Sequence, residues 1–463
     1  MVNLNRTRIA IVVALAAAAL AGPHAGAAAP VHPGQNGALT AKEMAMARVA
    51  WTYFQNNYQP TTGLVNAVDA YPSTTMWDTA SYLGGLVAAR ELGLTDKNDF
   101  DQRMAALLKT FNTLSLFRDE LPNKVYNAQT AEKVNYSNKP GEIGFSALDL
   151  GRLLVWFRII KERYPEHANA IDRAVLRWNF CSVLDACGSM YGAYVKPDKT
   201  TGYVQEGRLG YEEYAAKGFQ LWGFRTERAS KAQPFEVTPI FGVAVAYDSR
   251  DPRRLGAHNY VVSESYVLDG IEFNFDNAGD RSVDDMKFSD AETKEFAERV
   301  YRVQELRYEK TGVLTARTEH QLEKAPYFVY DTVYTDGYAW NTISEDGKFR
   351  PEFAAVALKG ALGLWSLWNT PYTARLFDAV SGMFDPKKGF YEGIYENGSG
   401  PIPAFTANNN GIILETLLYK VQGKLLKFGP PAETVWDQAV GDLYGGRNQC
   451  LRAAQRQPVC GKS

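Results

Sequence analysis

The sequence has few histidines, no excess charge of either sign and none of the common nucleotide-binding or serine-hydrolase motifs. No two of its five histidines form an H-E-x-x-H pair, so a metal site built on histidine is not expected. Fifty Lys and Arg against 52 Asp and Glu leave a net charge of −2, which argues against nucleic acid or an anionic membrane as a partner. There is no G-x-S-x-G, P-loop or dinucleotide fingerprint in a strand-then-helix context. What is present is a globular composition, 46% hydrophobic and 13% aromatic in 463 residues.

The first 30 residues have the three zones of a secretory signal peptide. Arg6 and Arg8 precede an apolar run over residues 9–21, and small residues follow at 25–29. The run of about 13 residues is shorter than the roughly 20 that span a bilayer, so an uncleaved anchor is the weaker interpretation. Residues 1–29 are therefore predicted to be removed, which would make the mature protein periplasmic or secreted, with no membrane span.

Four cysteines in an exported chain predict disulfide bonds. They fall in two close pairs, Cys181 with Cys187 and Cys450 with Cys460. Two local disulfides are the favoured arrangement, although the sequence alone permits three pairings. A zinc site with four cysteine ligands is the alternative, and it is disfavoured because neither pair has the two-residue spacing of a zinc knuckle.

Helical signals dominate the rest of the chain. Thr40 and Glu43 form a capping box ahead of an apolar stripe, which predicts a helix over 40–57. Ser289 with Glu292 indicates a second capping box. Periodicity and end signals predict further helices at 73–92, 97–114, 144–164, 166–180, 209–222, 289–310, 351–368, 371–383 and 405–421.

Strand-like segments are short and scattered, at 260–268, 327–334 and 390–395. None alternates long enough to seed a large sheet, so the fold class is predicted as mainly α. No linker rich in proline or serine divides the body of the chain. A single domain over residues 30–426 is therefore expected, after the signal peptide and before a C-terminal tail at 427–463.

The candidate chemistry rests on carboxylates surrounded by aromatic residues and glycines, because burial lets a carboxyl group keep its proton near neutral pH. Asp78 follows Trp77 at a helix start, where it could bind sugar hydroxyls or simply cap the helix. Glu142 precedes a helix and Asp149 lies in an apolar stretch, where an ion pair with Arg152 is the structural alternative.

Two later segments have the same character. Tyr211 and Glu213 lie in one helix, where a surface ion pair of Glu213 with Lys217 is the structural alternative. A loop that alternates polar and aromatic residues follows, for which ordinary turn chemistry is the alternative. Such a loop suits a carbohydrate better than an apolar ligand. Its candidates are Asp331, Asp336, Tyr338, Trp340 and Asn341, followed later by Asn410.

Several of these landmarks occur in the order found in a known group. Gly63-Leu64-Val65, the 142–149 segment, Tyr211-x-Glu213 and Asn410-Gly411 resemble landmarks of the bacterial glucoamylase-like family of (α/α)6 toroids. That family includes secreted enzymes that hydrolyse β-1,2-glucan. Over nearly all of residues 40–426 the chain is similar to a bacterial domain-of-unknown-function family related to these six-hairpin glycosidases. The resemblance implies an (α/α)6 toroid with short β-hairpins in its loops.

The resemblance also implies roles for individual residues. Glu213 would be the general acid, because the glutamate of the relatives' Tyr-x-Glu segment has that role. The base would be Asp149 or Glu142, with Asp331 and Asp336 as rivals. The run Gln205-Glu206-Gly207-Arg208-Leu209 departs from the tryptophan-rich run of the relatives, which leaves the substrate open.

The resulting hypothesis is an exported glycoside hydrolase that acts on a bacterial β-glucan or exopolysaccharide and needs no cofactor. Inversion is expected, and it requires the two carboxyl groups to lie about 6.5–9.5 Å apart. Sugar rings would stack on aromatic side chains and sugar hydroxyls would bind polar ones. The stacking candidates are Trp77, Tyr211, Trp222, Tyr338 and Trp340, and the hydroxyl-binding candidates are Asp78, Asn341 and Asn410.

Two other classes of function remain open from the sequence. A polysaccharide lyase would pair a tyrosine base with a neutralising arginine or histidine, and its products would absorb in the ultraviolet through a new C=C bond. The residues available for it are Tyr260 and His258 with Arg317 and His320. A non-catalytic exopolysaccharide-binding or assembly factor would keep the aromatic cleft without needing an ionisable Glu213.

Overall fold

The computed structural model describes residues 32–206, 208–251, 259–430 and 433–444. The predicted signal peptide and Cys450 and Cys460 lie outside the described residues. The helices are α1 Ala41–Asn57, α2 Met76–Glu91, α3 Lys97–Thr113, α4 Ala147–Arg163, α5 Ala168–Val175, α6 Tyr211–Gln220, α7 Glu264–Leu268, α8 Ala291–Thr311, α9 Leu358–Leu367, α10 Pro371–Val380, α11 Ala407–Gln422 and α12 Val435–Tyr444.

Six of these helices contact one another in a closed cycle. The order around the cycle is α2, α4, α6, α7, α9 and α11, and α11 returns to α2. Five other helices pack on the outside: α1 on α11 and α2, α3 on α2, α5 on α4, α8 on α7, and α10 on α9. Inner and outer helices therefore alternate along most of the chain, which is the pattern expected of stacked helical hairpins.

The inner helices approach closely because glycine and alanine lie where they touch. A Cβ atom added to Gly218 of α6 would lie 2.0 Å from the backbone oxygen of Gly151 in α4. One added to Gly411 of α11 would lie 2.5 Å from the backbone oxygen of Ser81 in α2. Side chains at these positions would push the helices apart, so the small residues set the diameter of the cycle.

Short antiparallel strands occupy the connections between helices. The pairs are β1 with β2, β3 with β4, β5 with β6, β9 with β10, β12 with β15 and β13 with β14, while β8 lies between β7 and β11. Their bounds are β1 Ser73–Thr75, β2 Val125–Asn127, β3 Tyr191–Val195, β4 Thr201–Gln205, β5 Phe235–Ile240, β6 Val243–Asp248, β7 His320–Gln321, β8 Phe328–Asp331, β9 Tyr334–Thr335, β10 Tyr338–Ala339, β11 Thr342–Ser344, β12 Ala355–Ala357, β13 Phe384–Asp385, β14 Gly389–Phe390 and β15 Gly393–Tyr395.

Nine of the ten predicted helices are confirmed with shifts of up to five residues at their ends, and the Thr40 capping box is present. The helix predicted over 351–368 is shorter, because a 3-10 turn over Pro351–Phe353 and strand β12 precede α9, which begins at Leu358. One strand prediction was wrong: Glu264–Leu268 is a buried helix that continues as a π-helical turn over Asp269–Phe273. A short apolar run fits a buried helix as well as a strand, because burial on all sides removes the periodicity. The Ser289 capping box is also corrected, since the Asp290 side chain caps α8 by accepting from the Thr293 amide.

The C-terminal region packs on this body. Helix α12 contacts α5, and Trp436 meets Trp222 edge-on with ring centroids 4.9 Å apart. Cys181 and Cys187 are both disulfide-bonded, while the predicted pairing of the four cysteines stays a prediction. Across the described ranges, none of the helices combines the length and apolar character needed to cross a bilayer.

Candidate active site

The first turns of the inner helices meet at one end of the cycle. Trp77 is the second residue of α2, Glu264 the first of α7, Lys359 the second of α9 and Asn408 the second of α11. The side chains of Trp77, Lys359 and Asn408 converge on the carboxylate of Glu264, a residue that is only 1% exposed. This end of the cycle therefore collects side chains from helices that are far apart in the sequence.

The Glu264 carboxylate has three partners. Its Oε1 accepts hydrogen bonds from Trp77 Nε1 at 3.2 Å and from Asn408 Nδ2 at 2.9 Å. Its Oε2 forms an ion pair with Lys359, which is also buried. A buried charge is tolerated when it is paired and hydrogen-bonded, so Glu264 carries a fixed negative charge at the centre of this end.

Glu319, just before β7, is a partly exposed carboxyl group beside this centre. Tyr211 at the start of α6 donates its hydroxyl hydrogen to Glu319 Oε1 at 2.8 Å. Burial, together with the negative charge of Glu264, raises the pKa of Glu319 to about 7. Glu319 can therefore carry a proton at neutral pH while staying partly exposed. Glu319 and the partly exposed Trp77, Asp78, Asp149 and Tyr330 form the surface at this end of the cycle that we call the cleft.

Asp149, in the first turn of α4, is a second carboxyl group of the same kind. It is partly exposed, and burial together with the negative charge of Glu206 raises its pKa to about 7. Glu206 itself is fixed at the helix end, where its Oε2 accepts from the amides of Ala147 at 2.7 Å and Leu148 at 3.3 Å. A carboxylate at a helix N-terminus is stabilised by the unpaired amides there, so Glu206 is a fixed neighbour of Asp149.

Asp78 completes the set of partly exposed carboxyl groups at this end. It accepts a hydrogen bond from the Thr75 hydroxyl at 2.7 Å, and Thr75, rather than Asp78, is the cap of α2. Burial raises the pKa of Asp78, although Thr75, Arg152 and Lys359 act in the opposite direction. The capping role considered for Asp78 thus belongs to its neighbour, and Asp78 remains available for a ligand.

Acidic groups outnumber basic groups at this end of the cycle. The carboxyl groups are Asp78, Asp149, Glu206, Glu264, Glu319 and Glu392, and the cations among them are Lys124, Arg152, Arg208 and Lys359. Like charges close together in a partly buried site raise one another's pKa. The pKa values of Asp149 and Glu319 are both raised to about 7, so each of these two groups can hold a proton near neutral pH, as acid and base catalysis requires.

Aromatic rings line one wall of the cleft. The centroids of Trp77 and Tyr211 lie 5.5 Å apart, those of Tyr211 and Tyr260 6.1 Å, and those of Tyr260 and Tyr330 4.7 Å. Trp77 and Tyr330 are partly exposed, so the two ends of the row can meet a ligand. Rings beside hydrogen-bonding groups are typical of a site that binds sugars.

Glu213 lies on a different face of α6 from Tyr211. Its Oε2 accepts from the Gly210 amide at 2.6 Å, so Glu213 caps an amide at the N-terminus of α6. Burial and the adjacent Glu212 raise its pKa well above the ordinary value. The ion pair with Lys217, considered as the structural alternative, does not form, because Lys217 pairs with Asp269 at 2.7 Å and Asp290 at 2.9 Å. The structure thus does not bring Glu213 together with Asp149 and Glu319.

Glu142 is also separate from Asp149. It forms ion pairs with Lys133 and, at 3.6 Å, with Arg118. Although partial burial acts against it, these cations lower the pKa of Glu142. Together with Lys133 and Thr113, Glu142 lines a separate cavity of about 630 Å³. Asp149, in contrast, does not form the considered ion pair with Arg152, whose guanidinium hydrogen-bonds to Ser81, Asn408 and Glu415.

The alternating loop divides between buried and exposed residues. Asp331 is fully buried against Arg317, and it accepts from the Thr342 hydroxyl at 2.7 Å and the Ala355 amide at 2.8 Å. Its carboxylate is thereby committed to structure rather than to a ligand. Asn341 is buried and donates to the Thr335 carbonyl at 3.3 Å.

The remaining loop candidates lie nearer the surface. Tyr338 is 70% exposed and Asp336 is exposed, with a φ of 51°. Trp340 is partly exposed and lies under Arg307, with the guanidinium carbon 4.7 Å from its ring centroid. These residues remain candidates for contacts with a long substrate.

Four predicted sugar contacts are corrected. Tyr211 and Asn341 are only 3% and 7% exposed, so neither is open to a sugar. Trp222, just past the C-terminal end of α6, is 2% exposed and packs on Trp436, so no sugar ring can stack on it. Asn410 is fully buried, where its Oδ1 accepts from the Phe390 amide at 2.9 Å and its Nδ2 donates to the Thr406 carbonyl at 2.9 Å. Trp222 and Asn410 both stabilise the fold.

Glu264 and Glu319 were not predicted as site residues from the sequence. Glu264 lies inside the segment interpreted as a strand, where a carboxylate in an apolar run was the available signal. Glu319 has no local signal, because its partner Tyr211 precedes it by 108 residues. Arg208, in the run that departs from the glucoamylase-like pattern, lies with its guanidinium carbon 5.2 Å from the Tyr260 ring centroid.

A known family matches most of the chain. The model of the family described as "Protein of unknown function (DUF3131)" matches residues 45–423. The chain belongs to the DUF3131 family. Among curated proteins there is no significant match.

Solved structures of similar shape share the fold of this DUF3131 protein. An endo-β-1,2-glucanase from Chitinophaga pinensis, in complex with sophorotriose and glucose, is 12% identical with a TM-score of 0.59, covering 84% of this chain and 94% of that one. A glucoamylase-like protein from Bacteroides caccae is 13% identical with a TM-score of 0.59, covering 83% and 94%. An endo-β-1,2-glucanase from Talaromyces funiculosus, in complex with sophorose, is 13% identical with a TM-score of 0.53, covering 83% and 84%.

Proposed function

We propose that this DUF3131 protein is an exported glycoside hydrolase with an (α/α)6 toroid that cleaves a β-glucan, with β-1,2-glucan as the first candidate. Asp149 and Glu319 are the catalytic pair. The observation that carries the proposal is that both are partly exposed and both have a pKa raised to about 7, at the same end of the closed helical cycle. Glycoside hydrolysis needs two such carboxyl groups, one protonated and one ionised.

Glu319 is proposed as the general acid. Its proton passes to the glycosidic oxygen as the bond from that oxygen to the anomeric carbon breaks. Tyr211, which donates to Glu319 Oε1, stabilises the carboxylate that remains. Asp149 is the base that takes a proton from the attacking water, whose oxygen bonds to the anomeric carbon from the opposite face. The stereochemical outcome is inversion, and solvent exchange then restores both protonation states.

The surroundings support a sugar substrate. The partly exposed rings of Trp77 and Tyr330, at the two ends of the row, offer apolar faces, while Asp78 and Arg208 offer polar groups along the same cleft. The endo-β-1,2-glucanases that share the fold were solved with sophorose and sophorotriose. Their ligands make β-1,2-glucan the first substrate to test.

The structure argues against the lyase alternative with the residues considered for it. Burial raises the pKa of Tyr260 well above its ordinary value even though Arg208 lies beside it, so Tyr260 is a poor base. Arg317 is enclosed by Asp331 and Glu396, and burial lowers the pKa of His320 to about 4. His258 lies outside the described residues.

The decisive experiment measures release of reducing ends from a panel of bacterial glucans and exopolysaccharides, led by β-1,2-glucan. Wild type is compared with Glu319→Gln, Asp149→Asn and Glu213→Gln. We expect the first two substitutions to reduce kcat at least about 100-fold, because each removes a proton-transfer group. Glu213→Gln keeps most of the activity, because Gln can still accept from the Gly210 amide.

Circular dichroism of each variant controls for folding, and ultraviolet absorbance tests for lyase products. Loss of activity in Glu213→Gln with retention in Glu319→Gln would transfer the acid role to Glu213, as the glucoamylase-like resemblance implies. Binding of a glucan without release of reducing ends would instead favour the binding-factor function.

A further inference from the structure

A buried ion pair is linked to the proposed acid through two aromatic residues. Trp77 donates to Glu264 at 3.2 Å, its ring centroid lies 5.5 Å from that of Tyr211, and Tyr211 donates to Glu319 at 2.8 Å. Glu264 and Lys359 are 1% and 3% exposed, and they form an ion pair between α7 and α9. Neither side chain is open to the cleft as Glu319 is. Replacing a buried ion pair by apolar residues is often neutral or stabilising, so stability alone does not explain why the pair lies here.

The position of Glu264 is fixed by a chain of hydrogen bonds. Asn408 Oδ1 accepts from Arg152 at 2.8 Å and from the Ser81 hydroxyl at 2.9 Å. With both donors on its oxygen, the amide can present only Nδ2 to Glu264, which it meets at 2.9 Å. Trp77 Nε1 adds a second donor at 3.2 Å. The negative charge of Glu264 is therefore held in one place.

Arg152 is fixed in its turn from behind. It is fully buried, and its guanidinium lies 3.3 Å from Glu415 and over the Trp77 ring at 4.7 Å. Gly84 leaves space for this arrangement, because a Cβ atom there would lie 2.1 Å from Glu415 Oε1. Hydrogen bonds thus connect Glu415 in the interior of the cycle to Arg152, Arg152 to Asn408, and Asn408 to Glu264.

We propose that Glu264 and Lys359 are positioning residues whose fixed charges set the protonation of Glu319, with Glu264 keeping the proton on and Lys359 moderating that effect. The inference rests on the proposed function for its catalytic meaning. The charged and titratable groups that face Glu319 are Glu264, Lys359, Arg208, Tyr211, Tyr260 and Tyr330.

The directions of the two effects are opposite. The negative charge of Glu264 raises the pKa of Glu319 and the positive charge of Lys359 lowers it. Removing Glu264 should therefore let Glu319 lose its proton at lower pH. Removing the charge of Lys359 as well should move the pKa of Glu319 back towards its wild-type value, because the positive charge that lowers this pKa is then also absent.

The test is the alkaline limb of the pH profile of kcat/KM for wild type, Glu264→Gln, and Glu264→Gln combined with Lys359→Met. We expect a shift to lower pH in the single variant and a partial return in the double variant. Lys359→Arg, which keeps the charge, should leave the limb in place. Merely structural roles would lower kcat without moving the limb in this pattern.

A matched control is the buried pair Glu43 with Lys420, whose atoms lie 2.7 Å apart between α1 and α11. Glu43→Gln should leave the alkaline limb unchanged. The proposal is overturned if Glu264→Gln leaves the alkaline limb at its wild-type pH. It is also overturned if the alkaline limb of the double variant lies at the same pH as that of Glu264→Gln.

Direct titration separates this inference from the proposed function. Carboxyl carbon NMR of uniformly labelled protein, with Glu319→Gln to assign the signal, reports the pKa of Glu319 without any substrate. A shift to lower pH in Glu264→Gln supports the inference even if no glucan is hydrolysed. An unmoved signal refutes the inference even if Glu319 proves essential for hydrolysis.

Discussion

Two partly buried glutamates, Glu396 and Glu319, differ in the charge of their neighbours. Glu396 forms ion pairs with Arg307 at 2.6 Å and Arg317 at 2.8 Å, and these cations hold its pKa below the ordinary value despite burial. Burial and the negative charge of Glu264 raise the pKa of Glu319 to about 7, although the Tyr211 hydroxyl that donates to it acts in the opposite direction. Burial acts to raise the pKa of both glutamates, and two adjacent cations reverse that effect only for Glu396.

The same contrast extends to the two regions around them. In the arginine cluster of Arg307, Arg317, Asp331 and Glu396, two guanidinium groups face two carboxylates. In the cleft, carboxyl groups outnumber cations. Removing one cation from the balanced cluster should therefore cost stability, whereas removing one carboxylate from the crowded cleft should not.

The largest expected effect is that of Arg317→Leu. It leaves Asp331 buried without a cation and takes one of two from Glu396, so we expect a loss of about 3–5 kcal/mol in the free energy of unfolding. Urea denaturation at pH 7 measures this. Arg302→Leu, which breaks exposed pairs with Glu305 and Glu309, is the control and should cost about 0.5 kcal/mol or less. Equal losses in the two variants would refute the contrast.

A smaller effect of opposite sign is expected for Asp149→Asn. The folded-state pKa of Asp149, raised to about 7 from an ordinary 3.8, means that folding favours the protonated form. Wild-type stability from this group is thus fully present below about pH 4 and is lost as pH rises through 7. Asparagine avoids that loss, so the variant should be more stable by about 1–2 kcal/mol at pH 8, since partial exposure screens the effect.

Thermal or urea unfolding of wild type and Asp149→Asn at pH 4 and pH 8 measures this difference. The gap should largely close at pH 4, where the wild-type carboxyl group is protonated in the folded state and close to half protonated in the unfolded state, whose pKa is about 3.8. A variant that is less stable than wild type at pH 8 would show that Asp149 has a structural cation partner.

Much of the fold was predictable because its signals are local. The Thr40 capping box, the helix ends and the apolar stripes placed nine of ten predicted helices to within five residues, while α9 begins at Leu358 rather than at the predicted residue 351. Helix α7 was not predicted, because its first residues follow an apolar run without helical periodicity. The closed cycle itself depends on contacts between helices far apart in sequence, such as α11 with α2, and local patterns carry no record of these.

The site was predictable only where a carboxylate stood out among its immediate neighbours. Asp149 and Asp78 did, and the structure places both at the cleft. Asp331 stood out equally, yet its partner Arg317 makes it structural. Glu319 has an unremarkable setting in the sequence, since its pKa is raised by Glu264 and its carboxylate is bonded by Tyr211, both distant in the chain.

The central claim is that Asp149 and Glu319 exchange protons with the substrate, and the pH dependence of kcat/KM on the glucan that is cleaved tests it most directly. The base must be ionised and the acid protonated, so two groups with pKa values about 7 predict a narrow optimum near pH 7 that falls on both sides. In Glu319→Gln the residual activity should lose the alkaline limb. A flat profile from pH 5 to pH 9, or an alkaline limb that persists in that variant, would contradict the account.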